Sequence, residues 1–202
     1  METIQLDPHR EFFDAVADQW KKTPFNCQRS REIVSLLGIK NGERVADLGC
    51  GTGRLLPLLR QAVGETGRVL AVDFSVKMLY RLRHRPFSDS VLIICADMHS
   101  IPLKEASIDQ AVCFSTFPHV QDKLRALGSV WSVLKPGGRF TVIHLMGHRG
   151  VNEFHREKGG AIRNDYLPSL DEMEVLLKSV NFYPLKIIDQ TDLYFVQGEK
   201  KL

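Results

Sequence analysis

From Val45 onward, short β-branched apolar runs alternate with stretches of helical periodicity. The runs are Val45 to Leu48, Val69 to Val72, Val91 to Cys95, Ile108 to Phe114 and Phe140 to Leu145. The helical stretches are Arg54 to Val63, Val76 to Arg85 and Asp122 to Leu134. The last of these meets Lys135-Pro136-Gly137-Gly138, where proline removes a backbone donor and glycine permits the left-handed turn that ends a helix. Strands separated by helices predict a parallel sheet covered on both faces. Two final runs, Leu185 to Asp189 and Leu193 to Gln197, are joined only by Gln190, Thr191 and Asp192. So short a connection cannot cross over the sheet, so the pair must be antiparallel. The expected fold is therefore an α/β three-layer sandwich whose seven-stranded, mostly parallel sheet closes on a C-terminal antiparallel hairpin.

The two ends add to this frame. Phe12, Phe13, Val16 and Trp20 recur at helical spacing, followed by a break at Thr23-Pro24 and a second helix from Cys27 to Leu37, so residues 1–37 read as a helical cap. Residues 146–168 are polar and read as a loop or lid on the substrate side, with Gly159-Gly160 as a hinge. Ser169 and Glu172 then stand at capping-box spacing and start a helix. With 202 residues and 44% hydrophobic content the chain fits one domain. Its net charge of +3 and the lack of a basic stripe with interleaved aromatics make nucleic acid an unfavoured partner. Cys27, Cys50, Cys95 and Cys113 show no CxxC spacing, and the last three lie in apolar or glycine-rich segments that read as buried. Reduced thiols, an N-terminus without an apolar signal core and the lack of a membrane-length apolar run predict a cytoplasmic protein.

The chemistry gathers at the ends of the first three strands. The first runs into Gly49-Cys50-Gly51-Thr52-Gly53 and then into a helix, which puts the loop at the carboxyl edge where open α/β sheets bind ligands. Asp47 precedes the loop and can accept from its amides or from a ligand amino group. Asp73 ends the second strand, 20 residues beyond Gly53, where a carboxylate can accept both ribose hydroxyls. The dinucleotide fingerprint GxGxxG would need glycine at Arg54, so a nicotinamide cofactor matches poorly. Asp97 and Met98 follow the third strand, where a carboxylate can meet an adenine amino group.

Taken together, VADLGCGTGR, VLAVDFSVKML, ADMHSIPL, IDQAVCFSTFPHV and LKPGGRFTVIHL resemble, in order and spacing over Val45 to Leu145, the class I S-adenosylmethionine-dependent methyltransferases. Within these they resemble the methyltransferase-11 group that includes ubiquinone and menaquinone biosynthesis C-methyltransferases. The resemblance implies a Rossmann-like fold and S-adenosylmethionine as cofactor. It implies that Asp47, Gly49, Gly51 and Gly53 line the methionine end, that Asp73 holds the ribose and that Phe74 and Met98 flank adenine. Asp97 would read the adenine amino group, and Phe114 and Ser115 would lie nearest the methyl group.

His119, just after the fourth strand, is the first candidate base, with a helix-capping role as the alternative. His144, His148 and His155, with Glu153, Glu157 and Asp165 nearby, are a candidate acceptor pocket or metal site, or simply one strand residue and two exposed loop residues. Phe12, Phe13 and Trp20 either close over the site or pack the cap. The leading expectation is methyl transfer to a small-molecule acceptor. A non-catalytic cofactor-binding module and a methyltransferase acting on RNA or protein are the alternatives.

Overall fold

The computed structural model describes residues 7–20 and 27–201. The break at Thr23-Pro24 and the first six residues, on which the reading of the N-terminus rests, lie outside them. Helices α1 (Pro8–Val16) and α2 (Cys27–Leu36) precede the first strand, β1 (Arg44–Leu48). Then come α3 (Leu56–Val63), β2 (Arg68–Asp73), α4 (Val76–Arg83), β3 (Leu92–Cys95) and β4 (Ile108–Phe114). The chain continues through α5 (Lys123–Val133), β5 (Leu134–His144), α6 (His148–Lys158), α7 (Leu170–Ser179), β6 (Phe182–Gln190) and β7 (Leu193–Lys200).

These strands form one seven-stranded sheet in the order β3-β2-β1-β4-β5-β7-β6. β1 to β5 run parallel, and β7 pairs antiparallel with both β5 and β6. Thr191-Asp192 alone turn the final hairpin, since β6 extends through Gln190. From β1 the chain moves outward to β2 and β3, then returns to β4 on the other side of β1. The crossovers therefore diverge between β1 and β4, and a crevice opens there at the carboxyl ends.

Strand residues alternate between two cores because side chains alternate across a sheet. Val45, Val69, Ala71 and Val112 pack with α2, α3 and α4, including Ile33, Leu59 and Leu82. Ala46, Leu70, Val72 and Ala111 pack on the opposite face with α5 and α7, including Leu127, Val130 and Met173. Burying each of the valine, leucine, isoleucine and methionine side chains contributes about 1.5–3 kcal/mol. Helix starts are fixed locally: Asp7, Ser75, Asp122 and Ser169 each accept a backbone N–H from the first turn, and Ser169 with Glu172 completes the capping box.

Two expectations change. The polar stretch after β5 is not a loop but contains α6, ended by Gly159 and Gly160 in left-handed conformations, φ 67° and 63°. Only Val151 and His155 of that helix are buried, so its apolar face is too narrow to show as sequence periodicity. Cys95 is exposed rather than buried, because β3 is an edge strand with one side uncovered; Leu92 beside it is 59% exposed. Cys50 and Cys113 are buried as expected.

Candidate active site

Four backbone N–H groups of the glycine loop are spent inside the fold. Gly49 and Cys50 donate to the Val72 carbonyl at 2.8 and 3.0 Å, Gly53 donates to the Cys50 carbonyl, and Gly51 donates to Asp73 Oδ2 at 2.8 Å. A loop that holds pyrophosphate needs such donors free. Here the carboxylates of Asp47 and Asp73 flank the loop from the ends of β1 and β2, and that suits a cationic ligand. Asp73 Oδ1 also accepts from the Ser75 N–H at 2.8 Å, so this side chain brackets the loop against β2 and α4. Asp47 is fully buried, and its Oδ2 has no hydrogen-bond partner among the described residues. Burial, then the charge of Asp73, pushes Asp47 up to about 7. Burial also raises Asp73 to about 6, against the pull of its backbone donors. An orphaned, buried carboxyl group at a ligand cleft costs free energy until a donor arrives.

Asp47, Gly49, Gly51, Asp73, Phe74, Asp97, Met98, Phe114, Ser115 and His119 all line one cavity at the β1/β4 crevice, about 1100 Å³ out to its open mouth. Gly53 does not. A methyl group there would come within 2.5 Å of Leu82 and 3.1 Å of Leu56, so this glycine lets α3 and α4 close on the loop. Asp97 Oδ1 accepts from the His99 backbone N–H at 2.8 Å and contacts its Nδ1 at 2.5 Å. Ser115 is held at φ 54°, a left-handed conformation that costs a non-glycine residue about 1 kcal/mol or more and that recurs at ligand sites. Phe13 and Trp20 reach the wall from the cap, whereas Phe12 packs edge-on against Phe13, so the cap aromatics divide between lining and packing.

The structure adds His9 and Gln121, which sequence reasoning missed, and gives Asp165 partners other than the histidines it was grouped with in sequence. His9 at the start of α1 and Gln121 also line the cavity. Asp165, outside the matched motifs, comes to its far side: His119 Nδ1 lies 2.6 Å from Asp165 Oδ2 and His9 Nε2 lies 2.8 Å from Oδ1. Gln121 Nε2 donates to the same Oδ1 at 3.1 Å. These residues stand 44 to 156 positions from Asp165, and no local signal links them. Burial lowers the His119 pKa, partly offset by the hydrogen bond and charge of Asp165. For Asp165 burial pushes upward, but the hydrogen bonds and charges of His119 and His9 prevail and hold it below the usual range.

His144, His148 and His155 lie outside this cavity and go to separate partners. His144 is buried in β5, His148 pairs with Asp189, and His155 Nδ1 donates to the Asp165 carbonyl at 3.0 Å. His155 is buried rather than on an exposed loop. Among the described residues no group of three His, Cys, Asp or Glu side chains is placed to hold a metal ion.

Sheet order, hairpin and a carboxylate-walled crevice at the carboxyl ends define the fold of a class I S-adenosylmethionine-dependent methyltransferase. A methyltransferase from Aquifex aeolicus superposes with a TM-score of 0.73 at 22% identity, covering 97% of this chain and all of that one. Residues 46–142, just under half of the chain, match the methyltransferase domain family, which supports a class I S-adenosylmethionine-dependent methyltransferase. It is 33% identical over 130 residues to a ubiquinone/menaquinone biosynthesis C-methyltransferase of Klebsiella pneumoniae, an alignment covering 62% of this chain and 48% of that protein. An uncharacterized 37.1 kDa protein of a Streptomyces fradiae transposon is 38% identical over 120 residues, 58% of this chain and 35% of that protein. The chain thus matches about half or less of these relatives' length.

Proposed function

We propose that this chain transfers a methyl group from S-adenosylmethionine to a small-molecule acceptor, with His119 receiving the acceptor's proton. The observation that carries this reading is the shared cavity: the orphaned Asp47 carboxyl stands at one part of its wall and the imidazole of His119 at another. When bound, the cofactor supplies an electrophilic methyl on a cationic sulfur. Asp47 takes the ammonium of its methionine part, Asp73 and Asp97 hold ribose and adenine, and Phe74 and Met98 pack the ring. Phe114 and Ser115 face the methyl side. The remaining work is positioning, which can lower a barrier by roughly 7–11 kcal/mol in well-aligned systems, and removal of one proton. Because burial lowers its pKa, His119 favours the neutral form at pH 7 and can accept that proton while the nucleophile's electron pair bonds the methyl carbon, the carbon–sulfur bond breaks with its pair going to sulfur, and S-adenosylhomocysteine leaves as a neutral thioether.

A small-molecule acceptor is favoured by the relative named for C-methylation in quinone biosynthesis and by the modest net charge. We place the protein in the cytoplasm, since Cys50, Cys95 and Cys113 carry free thiols. Residues 1–202 act as one domain in this reading, with 1–37 as the cap, and with 146–168, largely the helix α6, as the substrate-side cover. Calorimetry with S-adenosylmethionine against NADH, then release of S-adenosylhomocysteine over a panel of phenolic, enolic, amine and thiol acceptors, tests it. Tight NADH binding without sulfonium binding would overturn the assignment.

A further inference from the structure

Asp165 is tied down on every side. Its carboxylate is 3% exposed, its N–H donates to the Ile162 carbonyl, and its carbonyl accepts from His155 Nδ1. Since a carbonyl can only accept, His155 must carry its proton on Nδ1, and α6 thereby anchors the Asp165 main chain. One carboxylate oxygen faces His119 and the other faces His9 and Gln121. An ionised carboxylate accepts only, so each imidazole must present a proton to it.

We propose that Asp165 is the positioning residue for His119: it fixes the proton on Nδ1 and leaves the Nε2 lone pair turned to the acceptor side of the cavity. Nε2 of His119 has no hydrogen-bond partner among the described residues, and the ring forms part of the cavity wall. Phe13 meets the ring edge-on at 4.8 Å and His155 lies 4.9 Å away, so the imidazole is clamped between the cap and α6 as well. The second oxygen is held by His9 of α1, so the carboxylate cannot swing away while the cap is in place. The orienting group, its anchor and its counterweight come from three parts of the chain, none within the motifs that bind cofactor. The charged and titratable groups facing this pair are His9 from α1, Lys123 from α5, His144 from β5 and His155 from α6.

The inference rests on His119 serving as the base, and its test is chosen to read the ring without an acceptor. In protein labelled with ¹⁵N-histidine, two-bond proton–nitrogen correlations report the tautomer, with His119→Gln identifying the signal. The expected result is the Nδ1–H form in the wild-type protein with S-adenosylhomocysteine bound. In Asp165→Ala the ring should move toward the Nε2–H form, and its titration midpoint should fall, because a neighbouring negative charge that favours imidazolium is gone. With an acceptor in hand, kcat should fall on the order of 10²-fold with KM within about threefold, the lower end of the roughly 10²- to 10⁴-fold that a positioned base contributes. Nε2–H in the wild type, or an Asp165→Ala protein with unchanged tautomer and midpoint, would overturn the proposal. If the variant does not fold, the wild-type tautomer decides alone. Failure of every acceptor to release S-adenosylhomocysteine would instead refute the proposed function and leave the tautomer measurement standing.

Discussion

Thr116 fills the space that a side chain at Gly49 would need. A methyl group built on Gly49 would stand 2.1 Å from Thr116 Cγ2, and the Thr116 hydroxyl donates to the Gly49 carbonyl at 3.0 Å. The glycine loop of β1 and the turn after β4 are thus one packed unit across the crevice.

Gly49→Ala should therefore fail twice, by this contact and by a φ of 72° that alanine resists. We expect destabilisation of at least about 2 kcal/mol, or a fall in Tm on the order of 4–8 °C, with loss of cofactor binding. Thermal unfolding and calorimetry check both. A stable variant with wild-type affinity would contradict the geometry.

Asp47→Asn should gain stability and lose affinity. The folded-state pKa of about 7 lies above the ordinary 3.8, so the unfolded chain releases this proton first. Stability is full below about pH 4, declines as pH rises, and has no further loss above about 7. Removing the group should raise Tm by a few degrees at pH 8 and leave it unchanged at pH 4. Affinity for S-adenosylmethionine should drop on the order of 10²-fold. In the wild type at pH 6, cofactor binding should release protons as Asp47 ionises against the ammonium, seen as a buffer-dependent heat.

His119, as the proposed base, should set the acid limb of the rate profile. Burial, only partly opposed by Asp165, puts its pKa below 6.5, so the neutral form prevails at pH 7 and is lost as pH falls through that lower value. kcat/KM should be flat through neutrality and fall on the acid side. His119→Ala should abolish that limb and lower kcat roughly 10²- to 10⁴-fold. Undiminished turnover would remove His119 from the chemistry.

His144 should dominate acid sensitivity. Its buried ring is held down to about 3, first by burial and then by the nearby His119 and His155, and its Nε2 has no hydrogen-bond partner among the described residues. A pKa depressed from 6.5 gives stability that is present above 6.5 and lost as pH falls toward 3. His144→Leu should shift the acid-unfolding midpoint to lower pH with little change at pH 7.5, since an apolar replacement leaves nothing unsatisfied. Circular dichroism across pH measures it.

Much of this protein was legible in the chain itself. Strand runs such as Val69 to Val72 and Ala111 to Phe114 are apolar because both faces of a parallel sheet are covered, and the glycine loop with Asp47, Asp73 and Asp97 reads directly as a cleft at the strand ends. Local rules suffice there, since each signal lies within one βα unit. The short link after Gln190 likewise forces the antiparallel hairpin. What the sequence could not reveal depends on distant segments meeting. α6 hides because two buried residues, Val151 and His155, make too thin a stripe, and Gly53 turns out to serve helix packing through Leu82 and Leu56. The three histidines of residues 144–155 are neighbours in sequence, yet strand, helix and pairing with Asp189 send them to different places. His9, His119 and Asp165 are far apart in sequence and meet only because the cap and the chain after α6 fold over the same end of the sheet. Hydrogen bonds of that kind are made by tertiary packing, and no periodicity encodes them.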